Sequence, residues 1–403
     1  MYLHTIEKNS ILSLDYMERV VNNGSQSGFT NIHSTSKDTN PFFSKRFRVL
    51  KIITDPSRVK SYGKVSIKDI DLDRNDYVFL HPDWLICDMY DSIESIGTIE
   101  YANWVIPTSS SRTVRIENSN MYLKLCYPGI LGRLNRELKH HQILSGVEIS
   151  NIFDNAMRNK LFPDYFDYLP ETYGRVLETE KGEIGFIVRE IPKRLLDFHL
   201  IPGFSLFSTD HNSINDEKLL CQILNQKTDP YTFFMDEICY PLIDVFFTCV
   251  YREGLIPEMH SQNVIYAFDA NWNIKKIVLR DFESIDKDLS IRKAIGKNID
   301  FAEYPYKCIS KDDKNYLKRH SLMFDHKLCE YLIKPLVECI CYYLQIETYK
   351  VNDSIKEHVK SKYKNIISSF FPYDGCWYKY PNIEIDRTTN NRPFISMGDA
   401  IYR

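Results

Sequence analysis

Apolar and polar positions along this chain follow two periods, and the changes between them mark out its elements. Ile11–Val21 carries apolar residues at helical spacing, and Asn22–Asn40, rich in Ser, Asn, Gly and Thr, reads as a loop. Tyr77–Leu80 is a strand-like run leading straight into His81-Pro82-Asp83-Trp84, where the residue before proline is held extended. Val114–Ile116 and Tyr122–Leu125 read as paired strands around the turn Glu117–Asn120. A helix is expected from Leu134, with Leu138, Ile143 and Leu144 on one face and Arg136 at its start. Ile184–Ile191 reads as a buried strand that brings Arg189 and Glu190 to its end. Asp236–Tyr251 is a long apolar helix that delivers the chain into a hairpin, Val264–Phe268 and Ile277–Leu279 about the turn residues Asp269–Asn273. Asn315–Gln345 and Ser354–Phe371 follow as helices, and the tail from Pro372 is aromatic and irregular.

The ends of these strands carry the candidate chemistry. A hairpin of this length brings Glu258, His260 and Asn263 close to Arg280, Asp281 and Glu283. Carboxylate and amide oxygens suit a magnesium ion carrying phosphates, and an adjacent guanidinium suits an anion. The stretch Pro107–Lys124 places three serines, Arg112 and Thr113 on one strand edge and Lys124 on its partner, a plausible triphosphate cradle. Neither a P-loop nor a G-x-G-x-x-G pattern is present. Arg136, at the expected helix start, is suited to share a carboxylate with the helix amides. Each feature has a plainer alternative: polar ends of a surface hairpin, hydroxyls on a solvated strand, or an ion pair of Arg136 with Glu137 or Glu148.

Composition narrows the class. The 403 residues are enough for two or three domains, and 43% hydrophobic with 26% charged residues is ordinary for a globular protein. A formal net charge of −3 argues against general nucleic-acid binding. The opening MYLHTIEKNS does not look like a signal peptide, and the apolar stretch Tyr331–Leu344 contains Lys334 and Glu338, so no membrane span is expected. Ten scattered cysteines, with only Cys339 and Cys341 closely spaced, suggest reduced thiols in a cytoplasmic protein rather than disulfides or zinc ligands.

Taken together, HPDW at 81–84, PTSSSRT at 107–113, Lys124, Arg136, EMHSQN at 258–263 and LRDFE at 279–283 occur in an order and approximate spacing that resembles the NRPS-independent siderophore synthetases, the aerobactin-synthetase-like family. The resemblance covers roughly residues 77–300. It implies an α+β fold shaped like a cupped hand, with an antiparallel sheet in the fingers and a helical, sheet-containing palm. Residues 1–75 would form a shortened thumb-like lead-in, 76–160 the fingers and 161–403 the palm. It implies an ATP- and Mg²⁺-dependent ligase that activates citrate or a related di- or tricarboxylic acid as an acyl adenylate, then condenses it with an amine or hydroxyl nucleophile. By the same resemblance Ser110, Arg112, Thr113 and Lys124 would hold phosphates. His260, Asn263 and Asp281 would contact the nucleotide and its magnesium, with Glu258 nearby. Arg136 would pair with a substrate carboxylate, and His81 would lie on the acid-binding side. A homodimer is compatible with this reading.

The chain departs from the family pattern in a short lead-in, in HPDW where HPWQ is usual, and in a C-terminus where only Lys379 and Arg387 are loose candidates for the expected basic residues. Two rival readings remain: a kinase-like phosphotransferase, since His, Asn and Asp-Phe follow one another, and a catalytically silent member of the same fold.

Overall fold

In the computed structural model, which describes residues 10–25, 35–64, 74–87, 93–131, 134–180, 182–210, 217–373, 375–379 and 393–403, the β-branched and aromatic runs of the first half assemble into one eight-stranded sheet. Its order is Val59–Gly63, Glu171–Thr179, Gly182–Glu190, Met121–Leu125, Thr113–Ile116, Thr98–Pro107, Phe47–Ile53 and Tyr77–Leu80, with every neighbour antiparallel. The sheet thus reaches across both sequence boundaries, 75/76 and 160/161. Directly opposed residues share a face. Val114, Leu123 and Val188 line up on the face that enters an apolar cluster. Arg115, Tyr122, Arg189 and Glu171 line up on the other face, with Thr113 and Lys124 beside them. This face therefore carries Arg115, Lys124, Arg189 and Glu171 toward the interior.

That charged face is covered by a helix and a second sheet. The helix His140–Arg158 crosses the strands at Gly174, where a Cβ would sit 2.6 Å from the Ile143 side chain. The second sheet has the order His199–Pro202, Val264–Phe268, Ile274–Leu279, Phe166–Tyr168, the last pair parallel. Its central hairpin is the one expected, closed by Asp269, whose carboxylate accepts the N–H groups of Asn271 and Asn273. One face joins the main core with the helices Tyr240–Glu253 and Lys334–Leu344 and the π-helix Leu322–Ile333.

The other face, Leu200, Ile265, Ala267 and Val278, is covered by Leu14 of the helix Ser10–Val20. This lead-in helix is tied down by charge as well as by packing. Asp15 pairs with Arg115 at 2.6 Å, and Glu18 pairs with Arg280 at 2.6 Å and accepts the Ser109 N–H at 3.1 Å. It therefore bridges the serine turn of the large sheet and the exit of the hairpin.

The class is α+β with antiparallel sheets, as expected. Two local expectations are corrected. The helix placed from Leu134 begins at His140, because Leu134–Asn135 pairs with Ile130–Leu131. Arg136 and Leu138 therefore lie in the stretch before it, and Arg136 is not at a helix N-terminus. The tail is not irregular throughout, since Cys376–Lys379 pairs with Phe394–Gly398. Arg387 lies outside the described residues, as do the Lys379 side chain and residues 1–9. Among the described residues no helix is long and apolar enough to cross a membrane. All ten cysteines are free, and most are buried.

Glu18→Ala leaves the buried Arg280 guanidinium without its carboxylate. It is expected to lower unfolding stability by about 3–5 kcal/mol in denaturant titration. A change below about 1 kcal/mol, the size of an exposed pair, would show that the helix does not bear on the hairpin.

Candidate functional site

The site forms where the hairpin exit meets the charged face of the large sheet. Lys124 and Arg189 stand on one face of neighbouring antiparallel strands, two register positions apart, since Lys124 opposes Ile187 and Arg189 opposes Tyr122. The hairpin delivers Asp281 between them. Its carboxylate accepts from the Lys124 ammonium and from Arg189 Nη2, the latter at 2.9 Å. Lys124 also lies 2.9 Å from Glu283 Oε1, which is 3.4 Å from Arg112 Nη2. Arg189 in turn reaches Glu171 Oε1 at 2.6 Å, and Glu171 Oε2 accepts the Phe282 N–H at 3.3 Å. Cations and carboxylates alternate through one continuous, largely buried network. Asp281 itself takes a left-handed backbone conformation, φ 75°, which non-glycine residues seldom adopt.

Burial works against the Asp281 carboxylate, but Lys124 and Arg189 hold it well below the usual carboxylate range. Glu171 moves the other way, since burial raises its carboxyl despite Arg189. Glu258 is likewise opposed by burial yet held low by Lys327, 2.7 Å away, and by His260. Burial pushes the His260 imidazole down to about 4, so its ring is neutral at physiological pH. The Glu258–Asn263 turn is fixed internally. Asn263 Nδ2 donates to the Glu258 carbonyl at 3.0 Å, the Asn263 carbonyl accepts the Arg280 N–H at 3.0 Å, and His260 Nδ1 accepts the Gln262 N–H at 3.2 Å.

Arg136 stands apart from this pairing. Its carbonyl accepts from Arg112 Nη1 at 3.1 Å, but its own guanidinium makes no hydrogen bond or ion pair among the described residues. The proposed partners are engaged elsewhere: Glu137 with Lys139 at 2.6 Å and Glu148 with the Ala302 N–H at 3.1 Å. Burial, followed by the like charge of Arg112, lowers the Arg136 pKa to about 10, while Asp281, Glu283 and Glu258 oppose that shift. The result is a charged, unpaired guanidinium at the edge of the network.

The sequence-derived residues do not all converge. Arg112, Lys124, Arg136, Glu258, His260, Asn263 and Asp281 share this neighbourhood. Ser110 and Thr113 belong to its serine turn, where Ser110 Oγ accepts the Thr113 N–H at 3.0 Å. His81 is set apart. Its fully buried ring lies against Phe47 and Tyr127, its Nδ1 accepts the Asp83 N–H at 3.2 Å, and only the Ser111 backbone connects it to the serine turn. Burial pushes its pKa down to about 4. Sequence reasoning left out Glu171 and Lys327, and it named Glu283 at the hairpin mouth and Arg189 at its strand end without giving either a specific role. Arg189 was visible as a cation at a strand end, but its match to Glu171 depends on a pairing register the sequence does not display.

Residues 92–208 match the model of the IucA / IucC family, a span holding Ser110, Arg112, Thr113, Lys124 and Arg136 and bearing out the aerobactin-synthetase-like resemblance. Solved structures resemble the fold over most of the chain. The petrobactin biosynthesis protein AsbB from Bacillus anthracis aligns at TM-score 0.70 and 16% identity, over 90% of this chain and 69% of its own. ATP-bound aerobactin synthetase IucA from a hypervirulent pathotype of Klebsiella pneumoniae gives 0.66 and 13%, over 90% and 71%. Aerobactin synthetase IucC from the same kind of source gives 0.62 and 14%, over 83% and 67%. No curated protein sequence matches the chain.

Gly146, on the helix His140–Arg158, lies directly under this network: a Cβ there would sit 2.4 Å from Glu171 Oε2. On helix propensity alone, Gly146→Ala stabilises by about 0.5–1 kcal/mol. Because the new methyl must displace a buried carboxylate, the expected result is the reverse, a loss of about 1–3 kcal/mol in chemical denaturation. A stabilised variant would mean that Glu171 is not held against the helix.

Proposed function

We propose that this chain, similar to the siderophore synthetases over residues 92–208 and in its fold, is an ATP-dependent carboxylate ligase of siderophore biosynthesis. In this reading it activates citrate or a related di- or tricarboxylic acid as an acyl adenylate with release of pyrophosphate. An amine or hydroxyl then displaces AMP. The observation that carries the proposal is Arg136, a guanidinium with no protein partner among the described residues, beside a rim of paired cations. A multiply charged acid and a triphosphate repel each other, and fixed cations offset that repulsion as the two approach.

The roles follow from the geometry. Lys124 and Arg112, with the Ser110–Thr113 turn, would receive the phosphates. Their present partners, Asp281 and Glu283, would then be free to take a divalent cation together with Glu258 and the Asn263 amide. That all-oxygen donor set fits Mg²⁺, which would supply charge neutralisation at the phosphates. Neutral His260 would hydrogen-bond the nucleotide, and Arg136 would hold a substrate carboxylate two-pronged. His81, buried behind the serine turn, would act by holding that turn in shape. The palm, fingers and shortened thumb, with boundaries at 75/76 and 160/161, remain part of this proposal, as do a cytoplasmic location and a homodimer.

The direct test is a panel of di- and tricarboxylic acids with ATP, Mg²⁺ and hydroxylamine as surrogate nucleophile. At least one acid is expected to drive formation of AMP and pyrophosphate. ADP as product would favour a phosphotransferase, and turnover with no acid would overturn the ligase reading. On the same assay Arg136→Lys keeps the charge and loses the fork. With one charge-assisted contact worth about 1.5–3 kcal/mol, the KM for the acid is expected to rise about ten- to hundredfold. ATP affinity without acid, and thermal stability, should change little because no ion pair is broken. A lowered Tm with unaltered acid KM would remove Arg136 from the site.

A further inference from the structure

A second cluster lies away from the nucleotide rim, where the helix His140–Arg158 begins beside the strand Gly182–Glu190 and residues 300–307. One ring nitrogen from each of His140 and His141 and one carboxylate oxygen of Glu303 lie within 4.8 Å of one another. His140 is oriented from behind. Its Nδ1 is 2.6 and 2.7 Å from the two Glu183 oxygens, and its backbone N–H donates to Glu183 Oε2 at 3.0 Å. That fixes the ring so that Nε2 points forward, 3.5 Å from Glu303 Oε2. The His141 ring rests against Tyr306, with centroids 4.5 Å apart. An ordinary His140–Glu183 ion pair accounts for one edge of one ring, but not for a second imidazole and a second carboxylate converging on its other edge.

We propose that His140, His141 and Glu303 form a binding site for a divalent transition-metal ion of the zinc class, with Glu183 as the positioning residue for His140. Two imidazoles and a carboxylate suit zinc better than magnesium, which favours oxygen ligands. Bonds of about 2.1 Å in tetrahedral geometry set neighbouring ligand atoms about 3.4 Å apart, close to the His140–Glu303 separation already present. Glu183 on the far nitrogen of His140 is the carboxylate–histidine arrangement that orients metal-binding imidazoles. Three protein ligands leave the fourth position to water. The ion would tie residues 300–307 to the large sheet. Within that segment Tyr306 hydroxyl donates to the Glu283 carbonyl at 3.3 Å, so the clamp reaches the rim of the nucleotide site.

The test is calorimetric titration of the tag-free, metal-stripped full chain with Zn²⁺ in the presence of excess Mg²⁺, with absorption spectra of the Co²⁺ form. One equivalent of Zn²⁺ is expected, with a Co²⁺ spectrum lacking thiolate charge transfer. Glu183→Gln should weaken binding by about 10–100-fold, and His141→Ala or Glu303→Ala by more, with each metal-free variant keeping the parent Tm. The proposal is overturned if no Zn²⁺ binding is seen in the presence of excess Mg²⁺, if either ligand variant binds as the parent does, or if the Co²⁺ spectrum shows cysteine ligation.

Discussion

A charge taken out of water destabilises a protein by several kcal/mol unless another charge meets it, and that constraint governs how the two sheets of this chain join. Lys124 and Arg189 stand on a sheet face that is covered, so they require carboxylates there. Asp281 and Glu283 arrive from the hairpin and Glu171 from the neighbouring strand. The hairpin is therefore held by ion pairs with fixed geometry as well as by its apolar core, which makes the interface position-specific. A purely apolar contact would tolerate sliding; these pairs do not.

The same arrangement suits a site that receives anions. Among the described residues Arg112, Lys124 and Arg189 each have a carboxylate partner, and Arg136 is the exception. An incoming phosphate would replace one set of oxygens with another around the same cations. The strained backbone of Asp281 belongs with this picture, because a residue held at φ 75° stays there only where its surroundings over-determine it.

Much of this was legible in the sequence because its signals are local. The hairpin was readable from two β-branched runs about a turn rich in Asp and Asn, and its polar ends followed from length alone. The paired strands around Glu117–Asn120 were readable for the same reason. The helix start was misplaced because Leu138 has helical spacing to the apolar residues after it, while the pairing that holds Leu134–Asn135 extended lies across a short turn. The match of Arg189 to Glu171 escaped notice because only the register of two long strands sets them opposite each other. Only the resemblance set His81 on the acid-binding side; its place before proline fixes an extended backbone but does not display the packing that buries its ring. The lead-in is legible only as a helix and a loop, because nothing in Ile11–Val21 reveals that Asp15 and Glu18 have partners far along the chain.

That lead-in helix has a consequence for how the molecule is made. During synthesis it emerges well before its partners, Ser109, Arg115 and finally Arg280. Until Arg280 has left the ribosome, Glu18 has no cation to meet and Leu14 no complete sheet to cover. A helix translated long before its partners is thus late to dock. Contacts that span such long stretches of chain are slow to form, so the nascent protein passes through a long interval with an apolar sheet face uncovered, the period in which a growing chain is most prone to associate with others.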